Sequence, residues 1–100
     1  MIVLAGSIRI STEEREKVLQ ALHTLQDKTL ANDAGAMAYH FSIDLKDENL
    51  VHVYEEWDSV ENLKAHGQKE HMNPFRELRN DKLIEVLRFS RWRAEELGQY

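Results

Sequence analysis

The chain has no cysteine, so disulfides, thiolate metal sites and cysteine nucleophiles are excluded. Proline occurs once and glycine four times in 100 residues, which leaves no jointed linker and no low-complexity stretch. A single domain spanning residues 1–100 is expected, with 93–100 as a loose tail. Basic residues are the minority, 13 against 18 acidic, for a formal charge of −5. Nucleic acid and anionic membrane surfaces both need a basic face, so neither is an expected partner. No apolar run approaches the roughly 20 residues that span a bilayer. The opening MIVLAGSIRIST lacks the basic start and cleavage pattern of a secretory signal, and a cytoplasmic location is expected. What remains, 42% hydrophobic and 31% charged, is the make-up of an ordinary globular protein that handles small molecules or other proteins.

Apolar periodicity divides the chain into six elements. IVLAGSIRI (Ile2–Ile10) alternates as a strand. Ser11 with Glu14 forms a capping-box pattern, after which Val18, Leu19, Leu22, Leu25 and Leu30 recur at helical spacing. Asn32, Asp33 and Gly35 end that helix. AMAYHFSID alternates again with Met37, Tyr39, Phe41 and Ile43 on one side, KDEN makes a polar hairpin, and LVHVYEEW (Leu50–Trp57) is a third strand. Ser59 caps a second helical region, Gly67 interrupts it, and Asn73-Pro74 restarts it through Phe75 and Leu78. KLIEVLRFSRW (Lys82–Trp92) closes as a fourth strand. Strand, helix, strand, strand, helix, strand is the order of an α+β, ferredoxin-like βαββαβ sandwich.

Two helices cover one face of such a sheet. The strands nevertheless carry large groups in both registers: Leu83, Leu87 and Phe89 against Ile84, Val86 and Trp92, and Val51, Val53 and Trp57 against Leu50 and Tyr54. A second copy of the chain on the open face, a homodimer, is the expected explanation.

The stretch YEEWDSVENLKAHGQKEHMNPF concentrates candidate chemistry. His66 and His71 are five apart, whereas ligating pairs on one helix stand four apart, so no metal is expected. His23, His40 and His52 read as surface or packing residues. His66 titrates near neutrality and suits acid–base work. Glu55 shares strand parity with Val53 and Trp57, and a carboxylate on an apolar face needs a partner. One reading has Glu55 orient His66; the other has Glu55 bond a backbone or helix-cap N–H and leaves His66 in solvent.

From Asp33 to Phe75 the sequence resembles the antibiotic biosynthesis monooxygenase family. Gly35 and Tyr39, then Glu55 two residues before Trp57, then His66, His71 and Phe75 carry the resemblance. It implies a dimeric α+β barrel with a pocket between helices and sheet in each subunit. Similar members include quinol monooxygenases, anthrone oxygenases, an isomerase of a phosphorylated sugar derivative, and heme-degrading proteins. The heme-degrading pattern meets Ser7, His66 and Arg76 here, so heme is not expected; no G-x-G-x-x-G loop supports a flavin or nicotinamide.

The expected enzyme is a cofactor-independent monooxygenase that oxidises a hydroquinone- or anthrone-like aromatic to a quinone, with dioxygen as co-substrate. His66 would be the base, Glu55 its orienting group and His71 a donor to the developing oxyanion. Ser7 would make a polar contact, with Tyr39, Trp57 and Phe75 as apolar walls. Two alternatives stay open: an isomerase or tautomerase acting beside a carbonyl of a small metabolite, and a non-catalytic ligand-binding dimer.

Overall fold

A computed structural model describes all of residues 1–100. Strand β1 (Ile2–Ile10) leads to helix α1 (Arg15–Asn32), strands β2 (Ala36–Ile43) and β3 (Leu50–Trp57), helix α2 (Val60–His66), a 3₁₀ turn (Glu70–Met72), helix α3 (Asn73–Asn80) and strand β4 (Ile84–Arg93). The strands form one antiparallel sheet in the order β2-β3-β1-β4, with helices packed on one side, the ferredoxin-like α+β arrangement. No helix is long and apolar enough to cross a membrane.

Local chemistry accounts for most boundaries. The Glu14 N–H donates to Ser11 Oγ at 3.1 Å, one half of the capping box. The Ser11 N–H goes to Leu83 instead, so the reciprocal half is not made and α1 starts at Arg15. Its buried stripe is Val18, Leu22, Leu25 and Thr29; Leu30, expected on that stripe, is exposed. Ser59 caps α2 by accepting from the Asn62 N–H at 3.1 Å. Pro74 lies in the first turn of α3, where its missing N–H costs nothing. Between α3 and β4, Lys82 holds a left-handed φ of 62°, while the Leu83 N–H reaches back to the Leu78 carbonyl at 2.8 Å. That is a Schellman turn with lysine where glycine is usual.

The alternation of β1 buries Ile2, Leu4, Ile8 and Ile10 under the helices, joined by Val51, Val53 and Trp57 of β3. The fourth strand departs from simple alternation. Ser7 faces Arg88 but Ile8 faces Val86, so Leu87 is an extra residue in β4, a β-bulge. Parity changes there, and Phe89, opposite Gly6, comes to the helix side with Ile84 and Val86. Gly6 is required at this crossing, because a Cβ would collide with the Arg88 carbonyl oxygen. A second bulge in β2 displaces Met37 from the run of Tyr39, Phe41 and Ile43.

The parity change thus takes Phe89 off the open face and puts Trp92 on it, and the larger groups of that face are engaged in local pairs. The Tyr54 hydroxyl donates to Glu56 at 2.5 Å, and the Arg88 guanidinium lies 5.8 Å from the Trp92 ring centre.

Candidate active site

Three chain segments meet above β3. The first is the end of α1, where Asp33 falls four residues beyond Thr29 and continues the buried stripe past the last helical turn. Gly35 then reverses the chain at φ 79°, with no room for a Cβ beside the Asp58 carboxylate. The second is the end of α2, where His66 follows Leu63 by three residues on the buried side. The third is the 3₁₀ turn carrying His71. The helix stops at Gly67, and Arg76 of α3 binds the carbonyls of Gly67 (2.7 Å) and Lys69 (3.3 Å), fixing the bend. The bend overcomes the five-residue spacing, and the rings of His66 and His71 lie 5.9 Å apart.

Asp33 holds both histidines. Its Oδ2 lies 2.5 Å from His66 Nδ1, and His71 Nε2 stands 3.0 Å from Oδ1 and 3.1 Å from Oδ2. A carboxylate only accepts, so each of those ring nitrogens carries its hydrogen. In neutral His66 the lone pair is then on Nε2, which accepts from the Tyr39 hydroxyl at 3.2 Å. Burial holds the His66 ring below its ordinary value, against the opposing pull of Asp33. Tyr39 is held above its ordinary value, first by burial and then by the negative charge of Glu55. The tyrosine therefore stays a hydroxyl at neutral pH.

Glu55 plays a different part from the one expected. It is 5% exposed, and its Oε1 accepts from the Trp57 indole N–H at 2.9 Å rather than from His66. The group orienting His66 is Asp33. The other oxygen, Oε2, makes no hydrogen bond to protein, and Glu55 lines a cavity of about 180 Å³. Burial pushes its carboxyl up to about 7, against the lowering effect of the indole bond. Leu4, Phe41, Val53, Leu63, Phe75 and Phe89 supply the apolar walls, and Tyr39, Glu55 and His66 the polar groups.

Four of the seven expected site residues, Tyr39, Glu55, His66 and Phe75, meet at this cavity. Trp57 is fully buried behind it, 5.0 Å from the His66 ring centre, and serves as the support of Glu55 rather than a wall. Ser7 lies on the opposite face of the sheet, paired with His52 and Arg88, because odd positions of β1 point away from the helices. His71 lies beyond Asp33 and opens on a polar depression with Lys28, Glu70, Asn73 and Pro74; it does not line the cavity. Asp33 was missed, since beside Asn32 and Gly35 it reads as a helix terminator. The available signal was its position one step along the Val18–Leu22–Leu25–Thr29 stripe.

Asp33, His66 and His71 bring three potential ligand atoms within 4.8 Å of one another. Two nitrogen–oxygen gaps of 2.5 and 3.1 Å, both to Asp33 Oδ2, already hold hydrogens, and the arrangement fits shared protons better than a cation. What the site offers chemically is one carboxyl poised near neutrality at an apolar cavity, facing a tyrosine–histidine–aspartate chain.

The sequence model for antibiotic biosynthesis monooxygenases matches residues 1–78. Among curated proteins no sequence matches. Solved structures show the same fold. A Deinococcus radiodurans protein provisionally named an antibiotic biosynthesis monooxygenase is 20% identical, with a TM-score of 0.86 over 100% of this chain and 98% of that one. One from Nitrosomonas europaea, named likewise, is 14% identical with a TM-score of 0.83, covering 98% and 93%. A conserved protein from Methanosarcina mazei is 21% identical at 0.79, covering 94% and 92%.

Proposed function

Because the chain belongs to the antibiotic biosynthesis monooxygenase family, we propose that it oxidises an electron-rich, anthrone- or hydroquinone-like aromatic to a quinone with dioxygen and without a cofactor. The observation that carries this reading is Glu55, an unpaired carboxylate oxygen at an apolar cavity with its pKa near neutrality. Such a group removes a proton at the working pH and keeps the resulting anion away from water.

At an activated CH2 carbon, Glu55 Oε2 takes one proton. The delocalised anion passes an electron to dioxygen, and the two radicals join as a carbon-bound peroxide that recovers the proton from Glu55. Loss of the second hydrogen of that carbon to Glu55, and of the outer oxygen as hydroxide protonated by Tyr39, gives a carbonyl and water. The proton on Glu55 returns to Tyr39, directly or through solvent, so CH2 and O2 become C=O and H2O. His66, held by Asp33, supports Tyr39 throughout. The cavity volume suits a compact ring system rather than a heme.

We also assign the open sheet face to a second copy of the chain. Tyr54 and Trp92 flank Val3 and Ala5 there, 39% and 46% exposed. Sedimentation equilibrium should give twice the 11.7 kDa chain mass, and a Trp92→Glu variant half of that.

The enzymatic test is oxygen uptake with a panel of hydroquinones and anthrones. Turnover should consume one O2 per product and fall by about 10² to 10⁴ in Glu55→Gln. Product formed with no oxygen consumed would make the protein an isomerase, and an unchanged rate in Glu55→Gln would remove the base.

A further inference from the structure

The carboxylate of Asp33, 2% exposed, lies between two imidazoles that face different worlds. His66 looks inward, to Tyr39 and the cavity; both of its ring nitrogens are bonded within the protein. His71 looks outward. Its Nδ1 has no protein partner and meets the depression of about 460 Å³ beside α1 and α3. One buried negative charge neutralises one positive charge, and a second protonated ring would be an uncompensated buried cation.

The neighbouring charges reinforce that limit. Arg76 of α3 is fixed to the Gly67 and Lys69 carbonyls, and Lys28 of α1 lies on the rim of the depression. Against them stand Glu70 on the same rim and, on the cavity side, Glu55 of β3 beyond Tyr39 of β2.

We propose that Asp33 makes His66 and His71 share a single positive charge, and that His71 is a positioning residue whose protonation sets which way the Tyr39 hydroxyl faces. With the charge on His71, His66 is neutral and its Nε2 accepts from Tyr39. The tyrosine oxygen then presents lone pairs to the cavity. When a proton reaches His66 Nε2, that N–H donates to the Tyr39 oxygen and the tyrosine hydrogen turns into the cavity. His71 releases its Nδ1 proton to water, so the net charge around Asp33 is unchanged. Proton uptake on the inner side is matched by release on the outer side, with no hop through the carboxylate. The use of this exchange in turnover rests on the monooxygenase reading; the shared charge itself does not.

The test is a pH titration of the ¹⁵N-histidine-labelled protein by NMR. In the wild type, His66 and His71 should each titrate in two steps, with inflections that mirror one another. His71→Gln keeps an N–H for Asp33 but cannot titrate. There His66 should titrate in one step displaced to higher pH, since the like charge of His71 lowers it. Independent one-step curves in the wild type, or an unmoved His66 curve in His71→Gln, would overturn the proposal. Should the variant not fold, the wild-type curves alone decide it.

Activity supplies the second readout. His71→Gln should turn over more slowly, on the order of 10²-fold, and imidazole buffer should restore it. A loss that imidazole does not restore would show that His71 does no more than hold Asp33, and would overturn its part in turnover. Mirrored titrations without oxygen uptake on any substrate would sink the monooxygenase reading alone, whereas oxygen uptake with independent titrations would sink the shared charge alone.

Discussion

His66 donates its Nδ1 hydrogen to Asp33 across 2.5 Å, although the two residues are 33 positions apart in the chain. The bond ties the end of α1 to the end of α2 and leaves the far side of the ring for Tyr39. A second histidine, 38 positions from the same aspartate, closes the arrangement from outside. One carboxylate thus sets both the tautomer of the inner ring and the fold of the segment over the cavity.

Replacing Asp33 by Asn should be costly. An amide oxygen can accept from one ring, but its NH2 would face the N–H of the other. Breaking a buried ion pair by removing one partner costs about 3 to 5 kcal/mol. Urea denaturation should show a lower midpoint at unchanged slope. His66, having lost the carboxylate that favours its charged form, should titrate lower still.

Glu55 makes stability depend on pH. Its folded pKa of about 7 lies above the ordinary 4.5, so the folded state binds more protons than the unfolded state between those values. The stability it contributes is complete below the lower value and is lost as pH rises through about 7. At about 1.36 kcal/mol per unit, that loss is about 3 kcal/mol. Glu55→Gln should lack it, so the variant gains on the wild type by that amount from acid to neutral pH, as thermal or urea unfolding would measure.

Trp57→Phe keeps the aromatic bulk and removes the indole N–H. Because that bond lowers the Glu55 pKa, the rising limb of the pH–rate profile should move to higher pH. A limb that stays in place would show that another group governs the rate.

Lys82 tests the backbone. A side chain at φ 62° costs about 1 to 2 kcal/mol, part of which glycine returns through its freer unfolded state. Lys82→Gly should therefore stabilise the protein by about 0.5 to 1 kcal/mol, with no change at the cavity.

What the sequence made legible was local. Alternation in Ile2–Ile10, the Ser59 cap, the first-turn Pro74 and the parity of Glu55 with Val53 and Trp57 each depend on a few neighbouring residues, and each stands in the structure. Asp33 was not legible, since its partners lie 33 and 38 positions away and its local context is that of any helix end. The placement of Ser7 failed for a simpler reason. A polar residue in a strand was read as a pocket contact, yet its parity with Val3, Ala5 and Arg9 turns it from the helices. His71 lies beside His66, as its place in the same segment suggests, but lines the polar depression rather than the cavity. The bend at Gly67, not helical spacing, decides which nitrogen meets what.

The extra residue in β4 has a wider reach than its length suggests. Pairing Leu87 with Ser7 in plain alternation, without the bulge, would turn Phe89 outward and offer Arg88 or Ser90 to the chamber in its place. Neither is a surface on which a flat aromatic ring would rest. The size and greasiness of what this protein accepts therefore depend on a miscount between two neighbouring strands. Relatives that run the same residues along this edge without the bulge should differ in the molecules they admit, even with every acid and base kept in place.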